Sequence, residues 1–322
     1  FGRRAFLVAG PVISGVFVSI MGWAPSFWAL MLLLALGGLG RAAFHPPGAS
    51  YAARVSDGGG SGFRYSVFAF GGNAGYALGP LIAVWIVQAR GLDGLWVAMI
   101  PALLLTPFFY LNLPSGRSER TAKLPPRPGE VLRHLAGPLG LLFGVSAILA
   151  WAQRAFLTMV PIIVNEAGGS ETQGALALTA YLGAQTVGTL TGGYLADRMD
   201  RRVLLVGICA LAAPAHVVAV ALPAGSAWAL LASALAGFLG MAALPTIVVK
   251  AQELLPHAAA VSSGIAMGLA WAAGSVGVLG TGALADLVGP APATLVTMPV
   301  ILLAMVLALH PSLRSTPMAR EA

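Results

Sequence analysis

The chain has 322 residues, 58% hydrophobic and 9% charged, with a mean hydropathy of +0.85 and a formal charge of +7. So little polar surface excludes a soluble globule of this size and places the chain in a bilayer. The positive charge does not mark a nucleic-acid binder, because the basic residues sit in short loops between apolar runs, and the lone Cys209 excludes a disulfide framework or a cysteine metal site.

A helix needs about 20 apolar residues to cross the hydrocarbon core. Ten segments qualify: Ala5 to Met21, Phe27 to Ala53 (interrupted by Pro46-Pro47), Tyr65 to Val87, Leu95 to Leu113, Leu135 to Val164, Ala175 to Ala196, Val203 to Leu222, Ala227 to Val249, Val261 to Leu284 and Ala291 to Leu309. They divide as four plus six around a proline-bearing basic stretch, Pro114 to His134, that suits an exposed cytoplasmic connection. The expected organisation is a partial first half over residues 1–113, a linker over 114–134, a six-helix second half over 135–310 and a cytoplasmic tail over 311–322. Arg3-Arg4 before an apolar run also has the form of a twin-arginine export signal. Such a signal leads into a soluble domain, whereas nine further apolar runs follow here.

The chain repeats itself. Phe1-Gly2-Arg3-Arg4 aligns with Met199-Asp200-Arg201-Arg202 at an offset of 198, and Leu39-Gly40-Arg41-Ala42-Ala43-Phe44 aligns with Leu239-Gly240-Met241-Ala242-Ala243-Leu244 at an offset of 200. Two pseudo-symmetric halves of about 200 residues are implied, as in membrane transporters built from internal repeats. The helices between Gly137 and Ala196 then need partners upstream of Phe1, so the first two membrane helices of a longer protein are expected to be missing. Lys and Arg set the orientation. With the start of the chain inside, 15 of the 18 basic residues fall on the cytoplasmic side, only Arg90 lies in an outer loop, and Arg41 and Arg154 lie within spans.

The hairpin Gly193-Tyr-Leu-Ala-Asp197-Arg198-Met-Asp-Arg201-Arg202 resembles the loop signature of the major facilitator superfamily. Gly75-Tyr-Ala-Leu-Gly79-Pro80 resembles that superfamily's exporter signature. Gly40-Arg-Ala-Ala-Phe-His45-Pro46 and the stretches Gln252-Glu253-Leu-Leu-Pro256 and Val261-Ser-Ser-Gly264 are similar to the fosmidomycin-resistance branch of drug exporters. The resemblance implies an all-α membrane protein of the major facilitator fold, with ten of its twelve helices present and a central cavity between the halves.

Several residues are singled out for function. Asp197 can meet a helix N-terminus or one of Arg198, Arg201 and Arg202, a contact able to form in one conformation and break in another; the alternative is that the arginines only set topology. Gly75, Gly79 and Pro80 permit either close packing or an exporter-specific bend. A mid-membrane Arg costs about 2.5 to 3.5 kcal/mol on insertion scales, so Arg41 and Arg154 are expected to face a cavity or a partner. The resemblance places them on the fourth and seventh helices, which line the cavity; snorkelling to a head group is the other reading. Trp151 and Gln153 offer an aromatic platform and an amide beside Arg154. His45, before a proline pair expected to disturb its helix, is a candidate proton carrier or a cap for the break, whereas His216 reads as packing.

These features give a secondary active transporter that exports a small drug or metabolite in exchange for protons, by alternating access, from the inner membrane. An importer of a small anion, using the same two arginines, is the alternative. None of the 11 acids lies at mid-span, so the buried carboxylate expected of a proton-driven exporter is assigned to the missing helices. An enzyme needs clustered catalytic groups, which the spans do not carry. The expected partners are a small-molecule substrate, protons and the lipid bilayer, with no cofactor, metal or nucleic acid. The orientation has a direct test: a cysteine introduced at Asp93 should react with an impermeant maleimide on intact cells and one at Ser118 should not, and the reverse pattern refutes the assignment.

Overall fold

The computed structural model describes residues 3–54, 61–112, 128–255 and 259–313, and these are helical nearly throughout. Residues 113–127, which hold most of the expected linker 114–134, residues 314–322 of the expected tail, and the side chain of His45 lie outside the described set. The chain divides into two compact units, one of Phe1–Gly75 with Gly79–Ala122 and the other of Tyr76–Leu78 with Lys123–Ala322.

In the first unit α1 (Arg3–Ser19) runs through a short 3-10 turn into α2 (Phe27–Arg54), followed by α3 (Ser61–Arg90) and α4 (Ile100–Asn112). α2 remains one helix of 28 residues through positions 46 and 47. The expected interruption at Pro46-Pro47 therefore does not end it: each proline removes one donor, a loss that membrane helices tolerate where neighbours re-satisfy the backbone. α1 and α2 approach closely at small residues, and a Cβ on Gly40 would sit 2.7 Å from the Gly10 carbonyl.

The second unit contains α5 (Pro128–Leu135), α6 (Pro138–Glu166), α7 (Glu171–Ala196), α8 (Arg201–Ala221), α9 (Ala227–Leu254), α10 (Ala259–Ser263), α11 (Ala270–Val288), α12 (Pro290–Thr297) and α13 (Ile301–Ala308). Local sequence sets the helix ends. Ser170 and Gln173 form a reciprocal capping box at the start of α7, and Ser226 accepts the amide of Ala229 at 3.2 Å to open α9. Gly168 and Gly289, at φ +79° and +89°, turn the chain after α6 and α11, where a side chain would be strained.

The ten expected spans fall on helical segments wherever their residues are described. Eight described segments are long and apolar enough to cross a membrane; α3 and α7, at 30 and 26 residues, are the other two positions. The repeat shows in the helix ends themselves. α2 and α9 are each 28 residues long and start 200 positions apart, at 27 and 227. α3 ends at Arg90 and α11 at Val288, an offset of 198.

The tightest contact in the second unit is between α7 and α9. A Cβ on Gly188 or Gly192 of α7 would overlap the carbonyls of Phe238 and Ala242, and one on Gly237 of α9 would overlap that of Tyr181. Backbones meet directly there because no Cβ intervenes, the small-residue mode of helix association in membranes. Gly188→Ala should therefore lower the thermal unfolding midpoint of the purified protein, at a cost of about 1 to 3 kcal/mol for overpacking. Gly183→Ala, facing open space on the same helix, should leave it unchanged; equal effects refute the contact.

Candidate functional site

The hairpin between α7 and α8 is short, with Asp197 at the last turn of α7 and Asp200 opening α8. The Asp200 carboxylate accepts the amide of Val203 at 3.0 Å, capping α8 and placing negative charge at its N-terminus. Three arginines leave this loop toward three different partners. The Arg198 guanidinium lies 3.6 Å from the centre of the Tyr194 ring and donates to the Tyr194 carbonyl at 3.3 Å. Arg201 donates to the Glu253 carboxylate at the end of α9, and the buried Lys250 ammonium stands 3.6 Å from the same carboxylate. Arg202 donates to the Leu309 carbonyl just past α13, where the last backbone acceptors of a helix lie free.

Asp197 is exposed, and its carboxylate makes no ion pair or hydrogen bond to another described residue. The contacts anticipated for it are made by its neighbours in the chain and in space: Asp200 meets the helix N-terminus and Glu253 meets an arginine. A Cβ on Gly193 would lie at ordinary contact distance from Pro245, 3.8 Å, so the close approach beside it belongs to Gly192.

The three residues expected to act together on α6 are spread around the helix. Two positions along an α-helix turn the side chain by about 200°, which separates Trp151 from Gln153. The Trp151 indole donates to Thr281 Oγ1 at 2.9 Å and lies over Gly277, where a Cβ would be 2.6 Å from the ring. It is a packing element between α6 and α11. Gln153 instead lines a small cleft of about 20 Å³ with Ser146, Leu149 and Ala150 of α6, Gly240, Met241, Leu244 and Ile247 of α9, and Trp271 of α11. Ser146, Leu149, Ala150 and Gln153 follow the i, i+3, i+4, i+7 spacing of one helix face. Arg154 is exposed on α6 and pairs with no acid among the described residues.

The cleft's aromatic wall is thus Trp271, which sequence reading passed over, as it did Ser146. The signal was available in the spacing of Ser146 from Gln153; nothing in the sequence announced Trp271. Ser146 is 3% exposed, and neither its hydroxyl nor the Gln153 amide bonds to another described residue, leaving both for whatever enters.

The remaining expectations are placed as follows. Arg41 is exposed on α2, directly after Gly40. Gly75, Gly79 and Pro80 lie inside α3, and a Cβ at either glycine would meet nothing within 4 Å. His216 is fully buried, with Nδ1 2.7 Å from the Ala212 carbonyl and Nε2 3.0 Å from the Tyr181 hydroxyl. Among the described residues no three His, Cys, Asp or Glu side chains gather to hold a metal ion.

The family model described as Major Facilitator Superfamily matches residues 1–266 of this chain. The chain belongs to the major facilitator superfamily. That is a family of membrane transporters, not of enzymes. Among curated relatives, the chain is 31% identical over 286 residues to the MFS-type transporter YfnC of Bacillus subtilis, covering 84% of this chain and 68% of the relative. It is 29% identical over 274 residues to the fosmidomycin resistance protein of Escherichia coli, covering 83% and 66%. The chain thus spans about two thirds of the length of these superfamily relatives. In fold it is similar to a bacterial homolog of the human lysosomal transporter Spinster, with a TM-score of 0.75 at 16% identity over 99% of this chain and 85% of that one.

The two hairpin acids separate by experiment. Asp200→Ala should cost about 1 kcal/mol of stability through loss of the cap, read as a lower unfolding midpoint, while Asp197→Ala should leave the midpoint in place. The opposite ranking overturns the assignment of the cap.

Proposed function

We propose that the protein is a secondary active transporter of the inner membrane, both ends cytoplasmic, that exports a small drug or metabolite in exchange for protons by alternating access. The observation that carries this reading is the match to the major facilitator superfamily, with a fosmidomycin resistance protein among the relatives; candidate polar contacts are offered by the α6–α9 cleft. The cleft is lined by apolar side chains apart from Ser146 and Gln153, whose polar groups have no partner among the described residues, and Trp271 forms part of its wall. Accessible polar groups of this kind can bond a ligand directly. Family membership supports transport, and the name of the Escherichia coli relative supports export of a resistance-type compound.

In this reading Gln153 with Ser146 and Trp271 binds an uncharged part of the substrate, while Arg154 and Arg41 supply positive charge to any acidic group. Trp151 holds the cleft's wall in place through α11. Arg198, Arg201 and Arg202, with Asp197, Gly193 and Glu253, form the cytoplasmic gate: the Arg201–Glu253 pair joins the α8 start to the α9 end and must break for those ends to part. Gly75, Gly79 and Pro80 supply a bend in α3. His45 is the proposed proton carrier.

Inside-out vesicles acidified by respiration test this directly, with fosmidomycin as the probe. Its addition should release protons, read with a pH-sensitive dye. Gln153→Leu should raise the half-saturating concentration about tenfold, corresponding to one lost hydrogen bond of roughly 1.4 kcal/mol, at unchanged abundance. Proton-independent uptake of the probe into intact cells, or a Gln153→Leu variant with native kinetics, overturns the export reading; the former favours an anion importer.

A further inference from the structure

Between α10 and α11 the chain departs from α-helical geometry. Gly264–Leu269 forms a π-helical turn, and the Ala270 amide donates to the Ile265 carbonyl five residues back. A π turn accommodates one residue more than the α-helical path it replaces, and such turns concentrate at functional places. This one is set between two anchors of different kind. Beyond it, α11 is seated on α6: a Cβ on Gly274 would lie 2.7 Å from the Ala147 carbonyl. Thr281 accepts the Trp151 indole and lies 3.2 Å from Thr297. Before it, α10 is tied to α9 by a side-chain hydrogen bond from Gln252 Nε2 to Ser263 Oγ, 2.9 Å. The turn itself has room to change, since a Cβ at Gly264 or Gly268 would meet nothing within 4 Å. Trp271, the wall of the cleft, stands two residues past its end.

We propose that Gly264–Leu269 is a register hinge, which switches between π and α geometry and so turns α10 against α9 while α11 stays seated on α6. Absorbing the extra residue into the α path rotates one flank against the other by about 100° and shifts it by about 1.5 Å, one residue's worth of helix. The glycine-seated flank holds its place and α10 moves. Because the π form hides one residue, Ser263 now occupies the position that Gly264 takes once the turn is α-helical. Gln252 therefore faces Ser263 in one state and residue 264 in the other. The hinge stands on this geometry alone. Its coupling to the cleft rests on the transport reading: a ligand beside Trp271 presses on the segment next to the turn, and the answer appears at the inner end of α9.

Disulfide trapping in the full chain, in membranes and with Cys209→Ala as background, tests the hinge. Gln252→Cys paired with Ser263→Cys should cross-link, and so should Gln252→Cys paired with Gly264→Cys. Deleting Gly268 removes the extra residue without turning either flank, so the Ser263 pair should still cross-link and the Gly264 pair should stop. Failure of the Gly264 pair in the undeleted chain, or its persistence after the deletion, overturns the proposal. The first of these outcomes needs no deletion variant, so poor folding of that variant does not shield the idea. If both pairs cross-link as expected, the oxidised Ser263 pair should also slow fosmidomycin transport in a way that reductant reverses. Unslowed transport with both cross-links formed leaves the hinge standing and refutes its link to the cleft.

Discussion

Direct contact of backbone on backbone between α7 and α9 organises the second unit. Lipid tails offer no hydrophobic penalty for exposing a leucine, so the usual force that drives helices together in water is missing. What remains is close packing. At Gly188, Gly192 and Gly237 it reaches the limit at which peptide groups touch. Everything around this seam inherits its position: the α7 end that starts the hairpin, the α9 end that carries Lys250 and Glu253, and the α9 face that forms one side of the cleft.

How much of this was legible in the sequence depends on the range of the interaction. Long apolar runs are a property of the chain alone, and the ten fall on helical segments, α-helical for the most part, wherever their residues are described. The repeat was legible for a similar reason, since the offset between two short echoes reappeared as the offset between helix ends. Side-chain direction was less accessible. Trp151 and Gln153 look adjacent in print, yet helical rotation sends one to α11 and the other to the cleft. Gly193 carried the recognisable pattern, but Gly192, one residue earlier, faces α9. Asp197 and Asp200 were both in view, and the cap fell to the residue just before the α8 start. The π turn was not legible at all, because its signature is a shifted hydrogen bond and its glycines are common in any membrane helix.

The α7–α8 hairpin shows how arginines can do more than orient a chain. Each of Arg198, Arg201 and Arg202 ends on a different class of acceptor: an aromatic face, a carboxylate and a helix-terminal carbonyl. The ion pair between Arg201 and Glu253, with Lys250 close by, is the member able to connect two helices by charge. A loop that merely set topology would need positive charge but no assigned partners.

The buried contact between Tyr181 and His216 works as a key that fits in one way. A carbonyl can only accept, so His216 Nδ1 must carry the hydrogen that reaches Ala212. In the neutral ring Nε2 is then an acceptor, and the Tyr181 hydroxyl must donate to it. Phe156 of α6 stacks on Tyr181 with ring centres 4.5 Å apart, and Gly240 of α9 leaves only 3.5 Å between a would-be Cβ and either polar partner. Four helices are thereby indexed to one another at a single point, each with its rotation about its own axis fixed by the direction of a proton or the plane of a ring. Such a knot gives the unit a rigid chassis, against which any moving segment has something to push.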